Sequence, residues 1–197
     1  MWDERYSIDG YLFGTDPADF LVAHAALIAP ASRVLAVADG EGRNSVYLAQ
    51  LGHDVHAMDA SSVGVAKARQ LAVDRGVTVD FQVADVMTWD WTPDAYDAVV
   101  AVFIQFLSPE QRLDVFEGMQ RTLRPGGRLL LHGYRPEQVA LGTGGPPDPT
   151  YMYTEEFLRD TFGGMDIERL ESYDTVIEEG DGHSGQSALI DLIATKR

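Results

Sequence analysis

Short apolar segments alternate along this chain with longer segments that are apolar on one face only, and this alternation constrains the fold more than any other feature. A short apolar run is typical of a strand buried on both faces, whereas one apolar face at helical spacing is typical of an amphipathic helix. Parallel strands need a crossover, usually a helix, between them. The alternation therefore predicts an α/β fold with a mostly parallel sheet and helices on both faces.

Five strands and the helices around them can be placed from the sequence. The predicted strands are residues 33–37, 54–58, 79–83, 96–104 and 128–132. The predicted helices are residues 17–28, 43–51, 62–75, 109–123 and 154–162. Serine, proline and glycine near the expected ends set several of these bounds, because they cap, open and stop helices respectively.

The end of the chain breaks the alternation. Two long predicted strands, residues 165–178 and 186–195, flank the glycine-rich segment 180–185. Such a segment between two strands predicts a β-hairpin, so one of the last two strands must run antiparallel to the rest of the sheet. The expected sheet therefore has seven strands and ends in an antiparallel hairpin.

Length, charge and cysteine content limit the classes of function. The 197 residues fit a single domain, in which residues 1–30 would be an N-terminal capping segment and helix. The net charge of −16 would repel a phosphate backbone, so no nucleic-acid partner is expected. There is no cysteine for disulfides or thiolate metal sites. No apolar run is long enough to span a bilayer, and the amino terminus lacks a secretory signal, so we expect a cytoplasmic protein without a membrane partner.

The strongest local signal is the turn Asp39-Gly40-Glu41-Gly42 between the first strand and the following helix. Glycines at such a turn allow a tight bend and let the backbone approach a ligand. Taken alone, the two glycines are equally compatible with a tight strand-to-helix connection. The dinucleotide version of this turn has a third glycine where Ser45 stands here, which argues against a pyrophosphate.

Two carboxylates follow the next two predicted strands. Asp59 could accept both hydroxyls of a ribose, and Asp85 could accept from the exocyclic amine of an adenine. Each could instead cap a helix. Because the carboxyl ends of parallel strands meet at one edge of the sheet, we expect both carboxylates and the glycine turn to open onto one crevice.

These motifs resemble those of small bacterial class I S-adenosylmethionine (SAM)-dependent methyltransferases, in the group of the tellurite-resistance and thiopurine enzymes. The resemblance covers nearly the whole chain. The stretches that carry it are Val34-Leu35, 39–49, 52–55, 58–61, 123–127 and the opening with Trp2, Arg5-Tyr6, 11–14, Pro17 and Phe20-Leu21. It implies a Rossmann-like sheet of strand order 3-2-1-4-5-7-6 and SAM as the cofactor, with S-adenosylhomocysteine as product and no metal.

The resemblance also implies roles for residues of this chain. The glycine turn would contact the methionine part of SAM, Asp59 would hold the ribose and Asp85 would face the adenine. The inferred cofactor set is Asp39, Gly40, Glu41, Gly42, Arg43, Asn44, Asp59, Ala60, Asp85, Val86 and Phe103. The usual early acidic residue and an early glycine of the turn are replaced by Ala36 and Ala38, and we hypothesise that Asp39 supplies the missing carboxylate to the cofactor's ammonium group.

Residues for the acceptor and the chemistry are expected above the same edge. Tyr6, Tyr11 and Phe13 of the opening segment could fold over the sulfonium, since aromatic rings suit a cation, or they could anchor the segment by packing. His183 of the hairpin loop could be a base or an acceptor ligand, or an exposed loop residue. The expected substrate-facing residues are Gln105, Phe106, Tyr134 and Arg135. The irregular segment 141–149 is interpreted as a mobile lid or a plain surface loop.

The predicted function is methyl transfer from SAM, by in-line displacement, to a small soluble acceptor, with a soft sulfur, selenium or tellurium nucleophile as the favoured kind. Two other functions stay open: a non-enzymatic SAM-binding or partner protein, and a nicotinamide-dependent oxidoreductase. No spacing of His, Asp and Glu indicates a metal site. The oligomeric state cannot be read from the sequence.

Overall fold

A computed structural model describes residues 2–197 as seven strands and seven α-helices. The strands are β1 (Arg33–Val37), β2 (Asp54–Asp59), β3 (Asp80–Val83), β4 (Tyr96–Val102), β5 (Leu123–Tyr134), β6 (Asp166–Glu178) and β7 (Ser184–Thr195). The helices are α1 (Trp2–Tyr6), α2 (Asp19–His24), α3 (Arg43–Gln50), α4 (Ser62–Asp74), α5 (Pro109–Thr122), α6 (Gln138–Leu141) and α7 (Glu155–Thr161). Short 3-10 helices lie at Ala25–Leu27 and Pro149–Tyr151.

The strands form one sheet of order β3-β2-β1-β4-β5-β7-β6, so the predicted order is confirmed. Strands β1 to β5 pair in parallel, and β7 pairs antiparallel with both β5 and β6. Strand β7 is therefore the reversed strand. The loop between β6 and β7 consequently lies at the same edge as the carboxyl ends of β1 to β5.

The core occupies both faces of the sheet because successive side chains of a strand point to opposite sides. In β1, Leu35 and Val37 belong to the larger buried cluster, which includes Phe116 of α5. Val34 belongs to the cluster on the other face, with Phe20 of α2. No helix in the stretch from Trp2 to Arg197 is long and apolar enough to cross a membrane.

The structure differs from the predicted elements mainly at their ends and in short segments. The predicted helix 17–28 is an α-helix only over Asp19–His24, and its N-cap residue Ala18 makes no side-chain capping bond. Strand β5 begins at Leu123, although the Pro125-Gly126-Gly127 sequence predicted a stop before residue 128. Helix α1 and the short helices within 138–151 were not predicted, because such short segments lack a full period of apolar residues.

Candidate functional site

A cavity of about 630 Å³ opens at the carboxyl edge of the parallel strands. Gly40 after β1, Asp59 at the end of β2 and Asp85 after β3 all line it. The glycine turn and both carboxylates therefore share one hollow, as expected from the sequence. This volume is in the ordinary range for small-molecule and cofactor pockets.

The two glycines of the turn, Gly40 and Gly42, have different structural roles. Both have left-handed backbones, with φ of +63° at Gly40 and +91° at Gly42. A Cβ on Gly40 would lie 2.6 Å from the Tyr6 hydroxyl, at the cavity wall. A Cβ on Gly42 would lie 2.6 Å from the Cβ of Ala68 on α4 instead, and Gly42 does not line the cavity. Gly42 therefore lets α3 and α4 approach each other, and the predicted contact of Gly42 with the cofactor stays a prediction.

Asp59 shapes the turn as well as lining the cavity. Its Oδ2 accepts from the backbone N–H of Gly40 at 2.9 Å, and its Oδ1 accepts from the N–H of Ser61 at 2.8 Å. Burial raises the pKa of this carboxyl, although the two backbone bonds oppose the rise. A carboxylate has about four acceptor positions, so Asp59 can still accept from ligand hydroxyls. Ala60 lies beside it in the cavity wall.

Asp85 and Val86 provide the wall next to β3. Asp85 is exposed, and its Oδ1 accepts from the N–H of Met87 at 2.9 Å within a turn; no helix lies in the described stretch between β3 and β4, so Asp85 does not cap one. Val86 is buried and Met87 is exposed, and both line the cavity. This wall can offer a flat ligand an apolar surface with one carboxylate at its rim.

The Asp39 carboxylate is bonded to the start of α3. Its Oδ1 accepts from the backbone N–H of Ser45 at 3.2 Å, and its Oδ2 accepts from the Ser45 hydroxyl. Burial, with a smaller contribution from Asp59, raises the pKa of Asp39 to about 7. Asp39 also lines the cavity, which leaves it available to an ammonium group there.

We expect Asp39→Asn to flatten the pH dependence of stability. Because the pKa of Asp39 is about 7 in the folded protein and near 3.8 unfolded, its stabilising contribution is full below pH 4 and is lost as the pH rises to 7. The loss amounts to at most about 4 kcal/mol at 1.36 kcal/mol per pKa unit. Urea unfolding at pH 5 and pH 8 measures it, with the exposed Asp160→Asn as control. If the free energy of unfolding changed equally between pH 5 and pH 8 in wild type and in Asp39→Asn, the raised pKa of Asp39 would be contradicted.

Three further predicted cofactor residues use their side chains to hold other segments. Glu41 accepts from the N–H of Leu12 at 2.8 Å and pairs with Lys67 at 3.0 Å, and Asn44 accepts from the N–H of Ala18 at 3.0 Å. Arg43 donates from Nη2 to Glu179 at 2.7 Å, while its Nη1 is buried without a partner. All three residues line the cavity, but Glu41 and Asn44 fasten the N-terminal segment across it.

The opening segment brings Tyr6, but not Tyr11, to the cavity. Tyr6 is buried against Gly40 and Gly64, and burial together with Asp59 raises the pKa of its phenol. Tyr11 packs beside the buried cluster of Val46, Leu71 and Ala72, and its hydroxyl donates to the Lys67 carbonyl at 3.3 Å. The structure thus shows the packing contacts expected in the second interpretation of Tyr11, and it does not place this ring at the cavity.

The opposite wall is an aromatic cluster at the ends of β4, β5 and the β6–β7 hairpin. The ring of Phe103 lies 4.6 Å from that of Tyr134 and 4.2 Å from that of His183, and Phe13 lies 4.4 Å from His183. His183 is buried, so the exposed-loop interpretation is wrong. Burial, Arg43 and other neighbouring cations lower the pKa of His183 to about 3.

Of the four substrate-facing candidates, Phe106 and Tyr134 line this wall as expected. Gln105 also lines it, yet its amide is bonded to the backbone of Tyr134: Nε2 donates to the carbonyl at 2.8 Å and Oε1 accepts from the N–H at 2.6 Å. Gln105 thus fixes the spacing of β4 and β5. Arg135 pairs with Asp174 on β6 and does not line the cavity, so the structure does not bring it together with the other three candidates.

Sequence reasoning missed several lining residues, which lie on α1, on α5 and in the segments 146–151 and 180–183. They are Trp2, Arg5, Gln111, Pro146, Pro147, Tyr151 and Gly182. The opening motif contains Trp2 and Arg5, so it could have indicated the first two. In the structure the Arg5 guanidinium stacks on the Trp2 ring, 4.4 Å from the ring centroid. Pro146 and Pro147 belong to the segment interpreted as a lid or surface loop. Among residues 2–197, no three His, Asp or Glu side chains are grouped to hold a metal ion.

The sheet order and the cavity define a class of protein. A seven-stranded sheet with a reversed β7, a glycine turn after β1 and an acidic residue at the end of β2 is the arrangement of class I methyltransferases. The residues also fit SAM: Asp59 lines the cavity and has acceptor capacity left for a ribose, and Asp39 lines the same cavity.

Comparisons with known proteins agree. Residues 34–127 match the family model described as "Methyltransferase domain". The chain is 33% identical over 114 residues to the ubiquinone biosynthesis O-methyltransferase of Xanthomonas campestris, and 26% identical over 145 residues to the probable SAM-dependent methyltransferase TehB of Haemophilus influenzae. These matches cover 57% and 72% of this chain. The crystal structure of TehB from H. influenzae superposes with a TM-score of 0.73 at 20% identity, covering 90% of this chain and 61% of TehB.

The chain is therefore similar to small class I SAM-dependent methyltransferases, and its residues 34–127 match a methyltransferase domain, in agreement with the sequence resemblance. It spans less than half the length of the two curated relatives, at 46% and 48%.

Proposed function

We propose that this protein transfers the methyl group of SAM to a small soluble acceptor. The observation that carries the proposal is the shared cavity of Gly40, Asp59 and Asp85 in a chain whose residues 34–127 match a methyltransferase domain. In it Asp59 would accept from the ribose, Asp85 and Val86 would flank the adenine, and Asp39 would face the ammonium group. Tyr6, whose ring lies at the Gly40 turn, would border the sulfonium, a cation that aromatic faces suit.

The protein's task in this reaction is mainly geometric. A methyl group on a sulfonium is already activated, so the bound cofactor supplies the electrophile. The chain must then align the acceptor and exclude water. Trp2, Tyr6 and Phe13 of the N-terminal segment, held by Glu41 and Asn44, support a role of this segment in covering the reacting atoms.

The acceptor we favour is a soft nucleophile that needs no base: a thiolate, or a selenium or tellurium oxyanion. A general base works best when its pKa is near the working pH. Beside Phe103, the pKa of His183 is about 3, and burial raises the pKa of the Tyr134 phenol. Neither group is suited to remove a proton near pH 7, and Asp39, a cavity residue whose pKa is about 7, already accepts from Ser45 with both oxygens. An acceptor that arrives with a free lone pair avoids this difficulty.

Release of S-adenosylhomocysteine from SAM tests the proposal. The purified protein is incubated with thiols, selenite, tellurite, halides, amines and alcohols, and cofactor binding is measured separately with labelled SAM and NADH. We expect SAM to be retained and turnover to be fastest with the thiols or the chalcogen oxyanions. Retention of NADH without SAM would overturn the proposal in favour of an oxidoreductase, and retention of SAM without any turnover would support a non-enzymatic SAM-binding protein.

A further inference from the structure

Three buried polar atoms without hydrogen-bond partners lie in the walls of the cavity. They are Arg43 Nη1, Tyr134 Oη and His183 Nδ1, and each belongs to a side chain that is more than nine-tenths buried. Leaving a buried polar group unpaired costs about 1–3 kcal/mol, and more when it is charged. Three such groups in one cavity indicate that a ligand supplies their partners.

These atoms belong to one neighbourhood, on the side of the cavity away from β2 and β3. The rings of Tyr134 and His183 are 5.7 Å apart, and both contact Phe103. Arg43 is directed to this side because its Nη2 is bonded to Glu179, whose N–H in turn is bonded to the His183 carbonyl at 2.8 Å. The strand order places β4, β5 and β7 here, while Asp59 and Asp85 lie across β1 on the other side.

The chemistry of the three atoms selects an anion. Arg43 can only donate, and the Tyr134 phenol keeps its proton because burial raises its pKa. Neutral His183 donates from Nδ1 in one of its two tautomers. The single acid in this group, Glu179, is already engaged by Arg43 and by the N–H of Asp19, and Arg5 adds a second positive charge at the cavity wall. The wall thus presents donors and positive charge, and its one carboxylate, that of Glu179, is already engaged.

We propose that this wall, made of Arg43, Tyr134 and His183, binds a carboxylate carried by the methyl acceptor. The inference rests on the proposed function and narrows it to acceptors that are anionic at this end. Phe103 and Phe106 would pack against the apolar part of the acceptor. In this arrangement Tyr134 and His183 are positioning residues, and they hold the acceptor without taking its proton.

Calorimetry with benzoate and benzamide tests the proposal without methyl transfer. The two probes have the same shape and differ in charge. On protein saturated with S-adenosylhomocysteine, we expect benzoate to bind at least about tenfold more tightly than benzamide, because hydrogen bonds to a charged group are worth about 1.5–3 kcal/mol each. Tyr134→Phe should weaken benzoate about tenfold and leave benzamide unchanged. His183→Leu should act in the same direction. Tyr153→Phe, a buried tyrosine that does not line the cavity, is the matched control.

Equal binding of benzoate and benzamide, or no effect of Tyr134→Phe, would overturn the proposal. A second experiment is needed because the carboxylate of the cofactor's methionine part could also reach these donors. It distinguishes that carboxylate from one carried by the acceptor. If Tyr134→Phe weakens S-adenosylhomocysteine but not 5′-methylthioadenosine, which lacks the amino acid, the donors serve the cofactor and the proposal is wrong. If S-adenosylhomocysteine does not bind at all, the proposed function fails, and the preference for benzoate on the unliganded protein still decides this inference.

Discussion

Replacing Asp59 with asparagine should lower the affinity for S-adenosylhomocysteine about 100-fold. Two hydrogen bonds from ribose hydroxyls to a buried carboxylate would be worth about 1.5–3 kcal/mol each, and 1.4 kcal/mol is a factor of ten. Asparagine keeps the shape of the side chain but loses the charge and half of the acceptor capacity. Calorimetry measures the affinity, with Asp80→Asn as a control because Asp80 is an exposed aspartate at the far end of the same sheet.

The Asp59 experiment must separate ribose binding from distortion of the turn, because Asp59 also accepts from the N–H groups of Gly40 and Ser61. The affinities for adenosine and for 2′,3′-dideoxyadenosine, which lacks both ribose hydroxyls, separate these two effects. Wild type should prefer adenosine, and Asp59→Asn should lose that preference. A variant that binds both ligands more weakly while keeping the preference would show that Asp59 acts on the turn alone, and an affinity within threefold of wild type would contradict any role in binding.

Gly42→Ala should lower the free energy of unfolding by about 3 kcal/mol. The left-handed backbone at φ +91° costs a residue with a Cβ about 1–2 kcal/mol, and forcing a methyl group into a packed interface costs about 1–3 kcal/mol. That Cβ would lie 2.6 Å from the Cβ and 2.8 Å from the Cα of Ala68, which α4 holds in place. In a domain of this size the melting temperature should fall by about 6–12 °C.

Gly52→Ala is the matched control for this stability prediction. Gly52 has nearly the same backbone, with φ +88°, but a Cβ there would meet nothing within 4 Å. It should therefore cost only the backbone part, about 1–2 kcal/mol. Equal losses for the two variants in urea unfolding would show that the contact with Ala68 adds nothing. Because Gly42 does not line the cavity, the folded Gly42→Ala protein should keep its affinity for S-adenosylhomocysteine within about threefold.

The difference between Gly40 and Gly42 illustrates what could not be foreseen from the motif. Both glycines have the spacing expected of a ligand-binding turn, and both need a left-handed backbone. Which of them faces a ligand depends on the approach of α4, and Ala68 is distant in sequence. The same holds for Tyr6 and Tyr11, which lie on one short segment that is fastened at Glu41 and Lys67, so that only one ring enters the cavity.

Local sequence determined the sheet of this protein and the edge at which its cavity opens. The periodicity of apolar residues sets the order of strands and helices, and the glycine-rich segment after β6 reverses β7. These are properties of neighbouring residues, so they can be read along the chain. Only the tertiary structure decided that His183 is buried, that Arg135 points away to β6, and that Arg43, Tyr134 and His183 share a wall. Burial and hydrogen bonding depend on contacts between segments that are more than a hundred residues apart, such as Arg43 and Glu179, and such contacts leave no local pattern in the sequence.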